Sequence, residues 1–385
     1  MNMTIRKRSY IQFNRAFLMT VVSIVFGVGA FNFIMDPYGV MNTPKIHRLN
    51  KLKPTKENHT RLFKAVEVIR LKPQHIILGT SRANLGLDPR HPAFSNEGSE
   101  TSYNLGLQDA NVYEILRYFE HAIANQSQVK NIAIGMDYLS FNEHSKPKAG
   151  FDETMLGMQK ISGRVIVNLL LSLDALSASQ KTLAENVLKG RHNSEFVNGM
   201  RVLHIDKLPW TMGYFTNGFT RLSNVYTDYQ LSQKRLNDLE TIVRICRENN
   251  INLKLFISPI HATQLEAIRA AGGWDTFEQW KREVAKIAPF WDFSGYNSLT
   301  TEAIATQMTY YQDSSHYRPE VGNLVLNRIF NYEPDQVPDD FGVLVTPETI
   351  ESHLQQLRVD RQVWASDRQK LIETIADLME GLPQS

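Results

Sequence analysis

The segment from Ala16 to Met35 constrains this chain more than any other, because it is free of charge and only Thr20, Ser23 and Asn32 interrupt its apolar run. About twenty such residues are what one helical crossing of a bilayer requires, so a single transmembrane helix is expected over residues 16–35. Arg6, Lys7, Arg8 and Arg15 precede it and Asp36-Pro37 follows. Basic flanks stay on the cytoplasmic side, which keeps residues 1–15 inside and sends the remainder across. The small residues Val28-Gly29-Ala30 offer a processing site, so a cleaved signal peptide is the alternative. Apolar character that continues through Phe31, Phe33 and Ile34 favours an uncleaved anchor. Either reading places the body in a periplasm-like space, attached in the first case to the inner membrane, and no later run approaches this length.

The body is long enough for a sizeable core: the chain has 385 residues, with 42 Lys and Arg against 40 Asp and Glu for a net charge of +2. That balance argues against a nucleic-acid surface, which works by neutralising phosphates. A single cysteine, Cys246, excludes an internal disulfide and any multi-cysteine metal site. No H-E-x-x-H or comparable ligand spacing, no P-loop and no dinucleotide fingerprint is present, so neither a metal nor a nucleotide cofactor is expected.

After a polar tether, which with a leading helix (Thr60 to Leu71) fills residues 36–72, the pattern alternates. His75-Ile76-Ile77-Leu78 is a short apolar run stopped by Gly79; Thr101 to Leu107, Lys130 to Gly135 and Ile251 to Ile257 repeat it, with helices over about 111–124 and 231–248 between. A fifth strand ends near Asp292. Helices alternating with short apolar strands predict an α/β fold, a mostly parallel sheet flanked by helices in three flavodoxin-like layers. In such sheets ligands collect at the carboxyl ends of the strands. The alternation lapses over about 140–228, an insertion with an apolar helix over Val165 to Leu176 and an aromatic stretch containing Trp210, Tyr214 and Phe215. It is expected to pack over the sheet as a lid, a sugar-stacking platform or a plain helical subdomain. Within the C-terminal extension, 331–385, Thr346-Pro347-Glu348 reads as the start of one long charged helix reaching Met379.

Two distant pieces carry the sharpest chemistry. The first strand delivers Gly79-Thr80-Ser81-Arg82 to a strand-to-helix turn, and Asp313-Ser314-Ser315-His316 lies near the end of the body, with Pro319 at a helix start. A serine hydroxyl is a weak nucleophile until a base takes its proton, and an imidazole base needs a carboxylate to hold its tautomer. Ser81, His316 and Asp313 fit those three roles; an N-cap serine and a capping Asp are the structural alternatives. Arg82 suits an anionic substrate group or an ion pair. His261, after Ser258-Pro259, falls at a strand end where substrate-binding residues gather, and Asp292 reads as pocket-lining or as turn-forming.

This order of elements, a Gly-x-Ser turn early and Asp-x-x-His late, resembles the SGNH (GDSL-like) hydrolase superfamily over about Pro73 to Phe330. The chain is most similar to its membrane-anchored cell-envelope branches, including polysaccharide O-acetylation proteins. The resemblance implies an SGNH-like domain over 73–330, Ser81 as nucleophile and His316 with Asp313 as its partners. It also implies an oxyanion donor at Gly106 in Tyr103-Asn104-Leu105-Gly106. The family's third block supplies an Asn donor where this chain has Gly135-Met136-Asp137-Tyr138. An ionised carboxylate accepts and cannot donate, so Asn104 or Asn142 substitutes, Asp137 is protonated, or turnover is weak. By the same resemblance the protein is a serine esterase or O-acyltransferase on an envelope glycan, working near a membrane-bound acyltransferase. A catalytically weak scaffold or glycan-binding protein of the same system is the alternative.

Overall fold

In the computed structural model, which describes residues 2–94, 101–189, 193–204, 226 and 228–380, the apolar runs become neighbouring strands. They are β1 (His75–Leu78), β2 (Ser102–Asn104), β3 (Asn131–Met136), β4 (Ser194–Val197), β5 (Met200–Leu203), β6 (Asn252–Ile257), β7 (Phe290–Asp292) and β8 (Val343–Val345). β4 and β5 form a separate ribbon, and the others make one sheet in the order β2-β1-β3-β6-β7-β8. Within that sheet every pair is parallel except β7 with β8. β1 is buried along its whole length, as a strand between helical layers must be, which is why it reads as a continuous apolar run rather than an alternating one.

The helices are α1 (Asn2–Met35), α2 (Thr60–Leu71), α3 (Ser81–Gly86), α4 (Val112–Asn125), α5 (Gly163–Leu171) and α6 (Leu173–Ala184). They continue as α7 (Gln233–Glu248), α8 (Ala262–Ala270), α9 (Trp274–Ile287), α10 (Pro319–Phe330), α11 (Ile350–Ala365) and α12 (Gln369–Glu380). The α/β expectation therefore holds: the sheet is mostly parallel, flanked by helices, and one apolar helix stands at the N-terminus. The order in which strands are added reverses between β1 and β3, with β2 laid on one side of β1 and β3 on the other. A parallel sheet wound this way opens a crevice beyond the carboxyl ends of those two strands.

The chain forms two compact units, residues 1–67 with 159–195, and residues 68–158 with 196–385. Residues 159–195 of the expected insertion belong to the unit that contains α1. The predicted helix over Val165 to Leu176 is also two helices. Ser172 takes extended backbone angles, and its hydroxyl accepts the Ala175 N–H at 3.1 Å, so it ends α5 and caps α6. In the same unit the last carbonyls of α1 are satisfied by polar side chains. Asn50 Nδ2 donates to Ile34 O (2.6 Å), and Lys53 Nζ to Met35 O (3.1 Å) and Asp36 O (2.6 Å).

In the sheet unit the core joins Ile77, Ala133, Phe256, Phe293, Tyr311, Tyr317 and Val325 with Ile375 from α12. The single long C-terminal helix is corrected to two, α11 and α12. The chain turns at Ser366-Asp367-Arg368, where the Ser366 hydroxyl returns to Val363 O (2.8 Å) and Arg368 to Trp364 O (3.0 Å). The break lets α12 fold back against α8 and bury Ile375, which a straight helix would carry away.

Candidate active site

Gly79 ends β1 at φ +144°, and a Cβ there would stand 2.8 Å from both the Gly135 carbonyl oxygen and the Ala83 methyl. Only glycine fits a backbone this crowded at this angle. Thr80 then caps α3, accepting the Arg82 N–H at 3.3 Å, which leaves Ser81 as the first residue of the helix. Far along the chain, Asp313 shapes its own loop: one carboxylate oxygen accepts the backbone N–H groups of Ser315 and His316, both at 2.8 Å.

The two pieces meet. Ser81 Oγ lies 2.9 Å from His316 Nε2 across 235 positions of sequence, and His316 Nδ1 lies 3.0 and 2.9 Å from the Asp313 carboxylate oxygens. All three side chains are half-buried, whereas Thr80, Arg82, Ser314 and Ser315 beside them are buried, so solvent reaches the reactive groups rather than their supports. Burial works against the Asp313 charge, but His316 and the two loop N–H groups hold its carboxyl below the usual carboxylate range. Such an aspartate fixes the imidazole with Nε2 toward the serine and stabilises the imidazolium that forms when the serine gives up its proton.

The crossing of α3 and α10 brings them together. A Cβ on Gly322 would fall 1.7 Å from Gly86 O, and one on Gly86 would fall 2.1 Å from the Tyr317 ring. The two helices touch backbone to backbone, with Tyr317, the residue after His316, packed into the gap.

Five other candidate residues are engaged within the protein. Arg82 is no free cation for substrate: Nε donates to Ser315 O (2.9 Å), Nη2 to Ser315 Oγ (2.8 Å) and Nη1 to Asp137 Oδ1 (2.6 Å). Asp137 also accepts from the Thr80 hydroxyl, so both its carboxylate oxygens are engaged in a buried ion-pair network. Gly106 does stand against α3, where a Cβ would meet Asn84 N at 2.6 Å, but its N–H is directed to Asn104 Oδ1 at 2.8 Å. Asn104 Nδ2 is spent on the carbonyls of Ala83 and Leu87, both at 2.8 Å, which ties β2 to α3 and leaves it no part as an oxyanion donor. His261 caps α8 with its ring between Thr263 Oγ1 and Glu302 O, each at 2.8 Å, and burial lowers its pKa to about 4. It is a neutral structural histidine; its backbone N–H donates to Ser314 O in the site loop at 3.1 Å, and its ring packs edge-on against Tyr311.

Of the residues left open, Asn142 uses its oxygen on the N–H groups of His144 and Gln230 (3.2 and 3.3 Å). Asp292 sits in the core, bound to Lys281 Nζ (2.6 Å), His353 Nε2 (2.7 Å) and Ser294. Trp210, Tyr214 and Phe215 lie outside the described residues. No group of His, Cys, Asp and Glu suited to a metal occurs among the described residues.

Several supports were invisible in the sequence. Ser315 receives Arg82, and Ser314 Oγ donates to Gln264 Oε1 (2.8 Å), whose amide reaches the Tyr226 hydroxyl. The only hint was the serine pair inside Asp-Ser-Ser-His.

Fold and site together define an α/β protein with a serine–histidine–aspartate constellation at the carboxyl rim of a parallel sheet. Comparison with known proteins adds no relative: no protein-family model, curated protein or solved structure matches this chain.

Proposed function

We propose that this protein is a serine esterase or O-acyltransferase, anchored in the inner membrane by α1 with its sheet unit on the periplasmic side, acting on an acylated envelope glycan. The contact between Ser81 Oγ and His316 Nε2, with Asp313 behind the imidazole, carries the proposal. Ser81 attacks the acyl carbonyl while His316 takes its proton; the tetrahedral oxyanion collapses, and His316 returns the proton to the departing alcohol. Water or a sugar hydroxyl then takes the acyl group from Ser81 by the same steps. The SGNH resemblance and the order of the elements support the reaction class. α1, of which Tyr10–Met35 is long and apolar enough for a crossing, supports the anchor and a membrane-bound acyltransferase as partner.

One observation favours a second reading. The donors expected of Gly106 and Asn104 are engaged within the protein, and Asp137 is an acceptor, so the expected oxyanion hole lacks at least one donor. A missing donor costs about 10²–10³ in kcat, so a slow enzyme, or a glycan-binding scaffold that keeps the triad, is the alternative. The test is labelling of the detergent-solubilised full chain by a serine-reactive fluorophosphonate, alongside hydrolysis of an acetyl ester. Labelling and turnover that both vanish in Ser81→Ala support the enzyme. Labelling unchanged in that variant, or absent from the parent, supports the scaffold.

A further inference from the structure

Exposed large hydrophobic side chains are unevenly spread. Among the described residues, all but Leu71, Val343, Leu344, Val359 and Val363 belong to the unit containing α1. Those on α1 are what a bilayer crossing presents to lipid, but Ile166, Val167, Leu171 and Leu173, which is 82% exposed, belong to α5 and the start of α6. In α5 only Leu169 is buried, and the pairs 166/170 and 167/171 line up one turn apart as apolar ridges. Soluble surfaces rarely gather apolar residues in this way.

The placement of α5 says what covers that face. Asn50 and Lys53 cap the last carbonyls of α1 at residues 34–36, and Asp36 pairs with Lys53 at 3.7 Å, so a polar layer marks the level where the helix leaves an apolar medium. α5 packs on α1 just short of that level: Asn32 Nδ2 donates to Leu170 O (2.8 Å), and a Cβ on Gly29 would stand 3.3 Å from Leu171 Cδ2. At a rise of 1.5 Å per residue, Gly29 and Asn32 lie about 5–9 Å inside the end of α1. An amphipathic helix at a membrane surface buries its apolar face to about 5–10 Å in the headgroup and acyl boundary. Phe33 and Ile34 of α1 are exposed at the same height, and Arg164 in the first turn of α5 is exposed for a lipid phosphate.

We infer that α5 with the start of α6 is a second membrane contact, an interfacial helix lying in the outer leaflet against the exit of α1. The inference rests on α1 being the anchor. It makes the α1 unit a lipid-embedded foot with two points of contact, which removes the freedom of rotation that a lone anchoring helix would leave.

The test uses the full chain in nanodiscs of phosphatidylethanolamine and phosphatidylglycerol at one chain per disc, with an environment-sensitive fluorophore placed in turn on Val167→Cys, Leu171→Cys, Phe26→Cys and Gln180→Cys. Burial pushes the Cys246 thiol up to about 12, so it stays unlabelled near neutral pH. Positions 167 and 171 are expected to be quenched by lipids carrying a shallow nitroxide at least about twofold more than exposed position 180, with position 26 quenched best by a deep nitroxide. Quenching at 26 but no excess at 167 and 171 overturns the inference and leaves the anchor standing. Blue-shifted emission at 167 and 171 without quenching means that protein covers the face, and overturns it too. No quenching at position 26 removes the anchor, and the inference with it.

Discussion

Arg82 stands next to Ser81 in sequence, yet its guanidinium is committed to Ser315 and Asp137, so one buried side chain joins the turn after β1, the end of β3 and the loop that bears His316. Burial works against its charge, but the Asp137 carboxylate more than offsets that and raises its pKa. Breaking such a pair from one side leaves an uncompensated charge, at a cost of about 3–5 kcal/mol. Arg82→Met should lose stability on that scale in urea unfolding. Arg82→Met with Asp137→Leu should recover most of it, because no lone charge remains. Fluorophosphonate labelling should stay low in both, since neither holds Ser315. A double variant that labels at the parental rate would show that Arg82 does not position the triad.

At the scale of elements, the site depends on how closely α3 and α10 approach. The alanine methyl of Gly322→Ala would enter the space of Gly86 O, 1.7 Å away. Overpacking of this kind costs about 1–3 kcal/mol, and the relief available is for α10 to withdraw and carry the 313–316 loop with it. Gly322→Ala should therefore unfold at lower urea and lose Ser81 labelling by a larger factor than its lost stability explains. Gly163→Ala, where nothing lies within 4 Å, should do neither. Parental labelling in a destabilised Gly322→Ala protein would separate the crossing from the site.

Across the sheet unit, the C-terminal helices are bound in by charge as well as by Ile375. His353 of α11 reaches Asp292 of β7, which Lys281 of α9 also holds, and Arg358 and Arg361 pair with Glu278 and Glu266. Burial raises the Asp292 carboxyl, but Lys281 and His353 overcome it and hold it far below the usual carboxylate range. The unfolded chain therefore takes up this proton first as pH falls below about 4. The stability Asp292 contributes is whole above that pH and shrinks below it. Asp292→Asn should lower stability near neutrality and flatten its decline from about pH 5 to pH 3. The exposed Asp335→Asn should leave the decline intact. An unaltered acid decline in Asp292→Asn would contradict this account.

The sequence alone determined what local pattern can encode: the uncharged run of α1, strands such as His75–Leu78 that are buried on both faces, the serine at a strand-to-helix turn, and an aspartate one helical turn ahead of a histidine. Each is set by period, charge or turn chemistry within a few residues. Tertiary structure decided everything that depends on a partner distant in the chain. It turned Arg82 and Asp137 into an ion pair, aimed the Gly106 N–H at Asn104, buried His261 as a cap, folded α12 back at Ser366, and assigned residues 159–195 to the unit of α1. A side chain's donors and charges are available to a ligand only if no closer group has claimed them, and which groups are close is fixed by packing that sequence spacing does not record.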